Sequence, residues 1–139
     1  DFFVADFADL SQVRALADKI RSEYPRIDVL ANNAGGMCKY PEVTADGLEK
    51  TYQVNYLAPF LLTTQLLDVL AESRATVVNT TSNSQRLLPK VTVGDIEHLE
   101  GRRPSMAYAL TKLAIVLFTR ELHRRYHSSG VRAAASSDW

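Results

Sequence analysis

The chain has 139 residues, of which 46% are apolar and 23% charged, enough for one globular domain with a sizeable core. Sixteen basic side chains balance sixteen acidic ones, so charge gives no case for nucleic acid or an anionic membrane as partner. Cys38 is the single cysteine, which excludes an internal disulfide and fits a reducing, cytoplasmic compartment; no metal site is expected, and no apolar run reaches the roughly 18 residues of a membrane span.

Phe2 to Asp6 is a short apolar run with aromatic and β-branched content, and it predicts a buried strand. Asp9 or Ser11 then caps a helix whose apolar face carries Val13, Leu16, Ala17 and Ile20. Pro25 ends it. Ile27 to Ala31 is a second strand, running directly into Asn32-Asn33-Ala34-Gly35-Gly36. Small residues at the carboxyl end of a parallel strand let a flat ligand approach the backbone, although an ordinary Asn- and Gly-rich turn reads the same way.

Thr44 is the expected cap of a long helix from about Ala45 to Glu72, with a kink or break near Ala58 imposed by Pro59. Leu48, Tyr52 and Asn55 fall on one stripe, and an Asn on an apolar stripe needs a partner. Ala75 to Ser82 is a third strand, continuous enough in β-branched residues for the centre of a parallel sheet. Residues 83–104 show no convincing period and read as a long functional loop. A helix from about Ser105 to His127 follows, apolar all round over Leu113 to Phe118 and ended by Ser128-Ser129-Gly130. Val131 to Ala135 begins a fourth strand. Strands alternating with long helices predict an α/β fold with right-handed crossovers and a parallel sheet, in a single domain over residues 1–139.

Tyr108 and Lys112 are four apart on the last helix and so share a face. A free tyrosine is a poor base at neutral pH, and a fixed ammonium beside a phenol favours the phenolate. Such a pair exchanges a proton with a substrate oxygen. Taken alone, Tyr-x-x-x-Lys on a helix is usually a packed ring beside a solvated amine.

Four motifs in order change that reading: Asn32-Asn33-Ala34-Gly35, Asn55 within Tyr-Gln-Val-Asn-Tyr-Leu, Ser82 closing Val-Val-Asn-Thr-Thr-Ser, and Tyr108-x-x-x-Lys112. Over residues 2–133 the chain resembles a short-chain dehydrogenase/reductase. Thr44-x-x-Gly47, Lys112-Leu113-Ala114 with Leu117-Phe118, and the long gap from Ser82 to Tyr108 resemble the retinol-dehydrogenase-like branch. The resemblance implies a partial Rossmann-type, doubly wound, three-layer α/β/α fold with about four strands. It implies an NAD or NADP cofactor and hydride transfer between an alcohol and a carbonyl, the substrate being lipophilic. Tyr108 would be the general acid/base. Lys112 would tune it and touch the nicotinamide ribose. Ser82 would hold the substrate oxygen, and Asn55 would hold a water linking Lys112 to solvent. Asp6 matches the adenine-contacting position, and Asn33, Ala34 and Gly35 would line the cofactor cleft. The two long helices would pair two copies of the chain.

The sequence also departs from this family. It has no Gly-rich loop to cradle a diphosphate at a helix N-terminus. Ala133 to Trp139 replaces the family's Pro-Gly after the last strand seen here. The chain starts at Asp1 without Met and stops directly after a strand, so the expectation is a fragment. The alternative expectation for the 139-residue chain is an inactive dehydrogenase fold that keeps only an association role. Phe2–Asp6 is then expected either to pair directly with Ile27–Ala31 or to stay unpaired, because the strands that separate them in the family order are missing.

Overall fold

A computed structural model describes residues 1–137. Three strands form one parallel sheet in the order β1 (Val29–Asn32), β2 (Thr76–Thr80) and β3 (Arg132–Ser136). The register aligns Leu30, Val77 and Ala133 in one row, and Asn32, Asn79 and Ala135 in the next. The first row faces the core. The alternate row of Val29, Thr76 and Arg132 faces the other way, and Val29 is 61% exposed.

Helix α1 (Leu10–Glu23) begins at Asp9, whose carboxylate accepts from the Ser11 amide at 2.9 Å. The Ser11 hydroxyl bond, before all else, holds the Asp9 carboxyl below its ordinary range. The second helical stretch is built in pieces: α2 (Lys50–Tyr52), a π turn (Gln53–Leu57), α3 (Ala58–Gln65) and α4 (Leu67–Glu72). Helix α6 (Pro104–Tyr126) is the longest. Val13 and Ala17 of α1, Leu62, Leu66 and Leu70 of the second stretch, and Phe118 and Leu122 of α6 meet over Val77. Fully burying each large apolar side chain contributes roughly 1.5–3 kcal/mol. All of these helices therefore lie on one face of the sheet.

Several expectations are corrected. The described residues form two layers rather than three, and three strands rather than about four. Phe2–Asp6 is not a strand. A strand needs a partner for its backbone groups, and this segment does not pair with β1. It is held instead by side chains: the Phe3 ring meets Tyr24 edge-on at 6.2 Å, with Lys19 Nζ 4.4 Å from the Phe3 centroid. Phe2 and Val4 are 87% and 88% exposed.

Thr44 does not cap the second helix. Gly47, at φ 78°, closes a turn in which its amide donates to the Thr44 carbonyl, and Val43 pairs with Glu49. A helix cannot run through that left-handed residue, so it starts later. The Glu49 carboxylate caps it by accepting from the Tyr52 amide at 2.7 Å. Pro59 acts one turn earlier than expected. A proline ring clashes with the carbonyl four residues back, here that of Asn55, and the helix widens there into the π turn. The Ala58 amide accordingly donates to the Gln53 carbonyl, five residues back. The outright break falls later, at Leu66.

Residues 83–104 are more ordered than their lack of period suggests. A 3-10 turn (Asn83–Leu87) and a short helix α5 (Val93–Glu97) lie within them. Thr92 and Asp95 form a reciprocal capping box around the start of α5. Leu88, Val91 and Ile96 of this segment pack with Leu99, Ala107 and Leu110 in a second small core. Of the carboxyl-terminal stretch that departs from the family, Asp138 and Trp139 lie outside the described residues.

Candidate active site

The site sits at the carboxyl edge of the sheet, where β1 and β2 end and α6 passes close to both. That is the edge at which open α/β sheets bind ligands.

Lys112 is the hub. It is 4% exposed, and its ammonium donates to the Thr80 carbonyl at 2.9 Å. The same Nζ lies 5.5 Å from the Tyr108 ring centroid, within range of a cation–π contact. Burial pushes the Lys112 pKa down from its ordinary value of 10.5. The helix is also tied to the strand through its backbone, because the Thr81 hydroxyl donates to the Lys112 carbonyl at 3.0 Å. Lower down, Asn79 donates to the Thr119 hydroxyl at 2.9 Å. These three links fix the register of β2 against α6, and so of Ser82 against Tyr108.

Ser82 follows β2 and caps the 3-10 turn, its Oγ accepting from the Ser84 amide at 3.2 Å. With an acceptor site of that oxygen engaged, the hydroxyl hydrogen is available to a substrate oxygen. Tyr108 is half-buried one turn before Lys112.

Asn55 lies in the π turn, 2% exposed. Its Oδ1 accepts from the Gly36 amide at 2.8 Å, and its Nδ2 donates to the Gly36 carbonyl at 2.8 Å. One side-chain amide thus satisfies both backbone groups of a single loop residue. A weaker bond from Nδ2 reaches Thr111 Oγ1 at 3.4 Å. The Asn55 side chain is therefore committed to the loop after β1.

The loop itself is anchored at both ends. Asn32 donates to Thr63 Oγ1 and Asn79 Oδ1, at 3.0 and 2.8 Å. Asn33 Oδ1 accepts from the Thr80 hydroxyl at 2.8 Å. Thr80 consequently holds Asn33 by its side chain and Lys112 by its carbonyl. A Cβ on Gly35 would lie 2.6 Å from Asn55 Oδ1 and 3.6 Å from Lys112 Nζ, whereas Gly36 has open space where a Cβ would be. Asn33 to Gly36 are all exposed. An exposed loop with two positions free of side chains suits the close approach of a planar ring system.

The structure brings together Gly35, Asn55, Tyr108 and Lys112, with Asn33 and Ser82 on adjoining strand ends and Ala34 in the loop between. Asp6 stands apart. Its Oδ1 accepts from the Ala8 amide at 2.8 Å, and its own amide donates to Gln12. Sequence reasoning missed Thr80, Thr81 and Gln53. Thr80 holds Lys112 through its backbone carbonyl, which leaves no mark in a sequence. For Thr80 and Thr81 the available signal was a pair of hydroxyls just before Ser82.

The short chain dehydrogenase family profile matches residues 1–137. The chain therefore belongs to the short-chain dehydrogenase/reductase family. It is 39% identical over 131 residues to mouse retinol dehydrogenase 12, covering 94% of this chain and 41% of that protein. Among solved structures, it superposes on an uncharacterized Mycobacterium paratuberculosis protein with a TM-score of 0.76, at 36% identity, over 94% of this chain and 47% of the other. A structure of ElxO with NADP bound gives 0.71 at 24% identity, over 97% of this chain and 51% of the other, a likeness of fold alone. The chain thus spans about half or less of the proteins it matches.

Proposed function

We propose that the protein carrying this chain is an NAD(P)-dependent oxidoreductase that interconverts a lipophilic alcohol and its carbonyl. The observation that carries the reading is the placement of Lys112: a buried ammonium held by Thr80, against the face of Tyr108, with Gly35 and Asn55 within a side chain's width. A lysine that only solvated a helix face has no reason to be 4% exposed.

The loop from Asn33 to Gly36 fits a nicotinamide cofactor, because its exposed backbone carries no side chain at two positions. Asn33, Ala34, Gly35, Tyr108 and Lys112 would hold that group, which supplies the hydride chemistry. Mouse retinol dehydrogenase 12 is named for a lipophilic alcohol, which supports the alcohol–carbonyl half of the assignment.

Within this frame Tyr108 gives a proton to the substrate oxygen as a carbonyl is reduced, and takes it as an alcohol is oxidised. Ser82 donates a hydrogen bond to the same oxygen and stabilises the charge that develops there. Lys112 keeps a positive charge beside the phenol and reaches toward the ribose side of the cleft. Asn55 fixes the loop by its side chain, while its carbonyl accepts the water that passes a proton onward from Lys112.

A second reading, an inactive fold that associates through its long helices, draws on a different observation. Phe60 on α3 and Leu117 on α6 are 39% and 45% exposed, and Phe60 packs edge-on against Phe118 at 5.1 Å. The same faces would pair two copies of an active enzyme, so association alone does not favour inactivity. Titration with NADH and NADPH, followed by nicotinamide fluorescence, tests the assignment together with turnover of retinol and retinal. Saturable binding with turnover is expected. A folded protein that binds neither cofactor contradicts it.

A further inference from the structure

At the amino-terminal edge of the sheet, opposite the edge that carries Lys112 and Tyr108, a polar cleft of about 240 Å³ is lined by Arg74, His127, Gly130 and Arg132. Three elements meet there: the turn after α4, the end of α6 and the first residue of β3. Arg132 pairs with Thr76, at the other end of β2 from Thr80, which holds Lys112. At a rise of about 3.3 Å per residue, the two ends of that strand are about 13 Å apart.

Arg74, His127 and Arg132 are exposed, and among the described residues neither arginine has an acidic partner. Arg124 and Arg125, near the same end of α6, share Glu121 instead. Arg74 is also the one residue other than glycine, among those described, with a positive φ, at 54°. That place after a helix is ordinarily filled by Gly or Asn, and an arginine there is strained. Gly130, at φ 97°, leaves the room that the Arg74 stem occupies: a Cβ on it would lie 3.1 Å from Arg74 Cγ and 3.4 Å from Arg74 Cβ. The fold therefore sets the direction of this arginine.

Basic residues at a helix end often do no more than offset the macrodipole. Any position in the last turn serves that role, without a cation at a strained φ. Nor does it call for cations from separate elements to face one cleft, where they repel each other. An anion between them turns the repulsion into attraction, and guanidinium groups pair with phosphate oxygens through charge-assisted bonds.

We infer that this cleft binds a phosphate-type oxyanion, free or as the headgroup of a lipid. Arg74 and Arg132 are its charged partners, and His127 supplies a ring N–H. The site is separate from the candidate active site and does not depend on the function assigned there.

The test is a titration of the full-length protein with inorganic phosphate, at constant ionic strength against chloride, followed through amide resonances. Saturable shifts are expected at Gly130 and Arg132, with Gly36 and Lys112 unmoved. Arg74→Gly should weaken binding at least about tenfold, as loss of a charge-assisted partner does. It should still fold, because glycine suits the left-handed backbone. Arg132→Gln is a second variant with the same expectation. Arg124→Gln, outside the cleft, should leave affinity within about twofold. Phosphatidylcholine vesicles containing phosphatidic acid then separate the sources. Sedimentation with them that Arg74→Gly abolishes assigns a lipid headgroup, and phosphate binding without sedimentation assigns a free anion. The site is overturned if no saturable shift occurs, or if chloride gives the same shifts. Shifts centred on Gly36 and Lys112, or an affinity unchanged in Arg74→Gly, overturn it as well.

Discussion

Gly35 and Asn55 compete for one volume: a Cβ added to Gly35 would lie 2.6 Å from Asn55 Oδ1, closer than real Cβ contacts come. Asn55 cannot retreat without losing both bonds to Gly36. The glycine is therefore required by the asparagine, and the two act as one unit holding the loop.

Gly35→Ala should accordingly destabilise the fold by about 1–3 kcal/mol, the usual cost of overpacking. Denaturant unfolding measures it. The Gly36 amide, freed from Asn55, should exchange faster in the same variant. Protection of Gly36 equal to wild type would show that the loop holds without this clamp.

Lys112 makes stability depend on alkaline pH in a definite direction. Burial lowers its folded pKa below the ordinary 10.5. Between the folded and unfolded values the unfolded chain binds more protons, so stability rises with pH across that window. Below the folded value both states are charged, and the penalty of burying the charge is constant. Lys112→Met removes the group and should remove the rise. The wild-type-minus-variant unfolding free energy should therefore climb as pH approaches about 10.5. A flat difference over that range would mean that the amine is not desolvated.

Leu66 is fully buried at the joint between α3 and α4. Leu66→Ala should cost about 2–5 kcal/mol through lost transfer and a residual cavity. Val4, 88% exposed in the unpaired amino-terminal segment, sets the contrast. Val4→Ser should stay within about 0.5 kcal/mol, as surface changes do, and the amides of Phe2 to Ala5 should exchange quickly. Protected amides there would mean that this segment pairs as a strand after all.

The elements with strong local signals were legible in the sequence. β2 shows in its β-branched run, α1 in the spacing of Val13 and Ala17, and α6 in the unbroken apolar stretch up to Phe118. Tyr108, Lys112, Asn55 and Ser82 were legible because residue type and spacing both mark them. What failed depended on partners. Phe2 to Asp6 has the composition of a strand, yet composition does not supply a neighbour. Pro59 announced a disturbance, but its clash lies four residues back, which places the π turn on Asn55. Thr92 and Asp95 carry a visible capping pair, but α5 is too short for a period to show. Thr80 serves the site through a carbonyl that every residue has, so only the fold reveals it.

Ser82→Ala should reduce turnover by about 10²–10³, the usual loss when a donor to a developing oxyanion is removed. Stability should change little, because Ser82 is only partly buried and its oxygen accepts a single local bond. Steady-state kinetics beside thermal unfolding separates the two effects. A large fall in melting temperature with unchanged turnover would make Ser82 a capping residue only.

The central claim is that Tyr108 moves the proton, and Tyr108→Phe in the full-length protein tests it most directly. The variant keeps the ring against Lys112 and loses only the hydroxyl. Turnover of alcohol and carbonyl should fall by about 10²–10⁴, the typical share of general acid/base catalysis, while NADH or NADPH affinity stays within about twofold. Turnover at the wild-type rate would contradict the account.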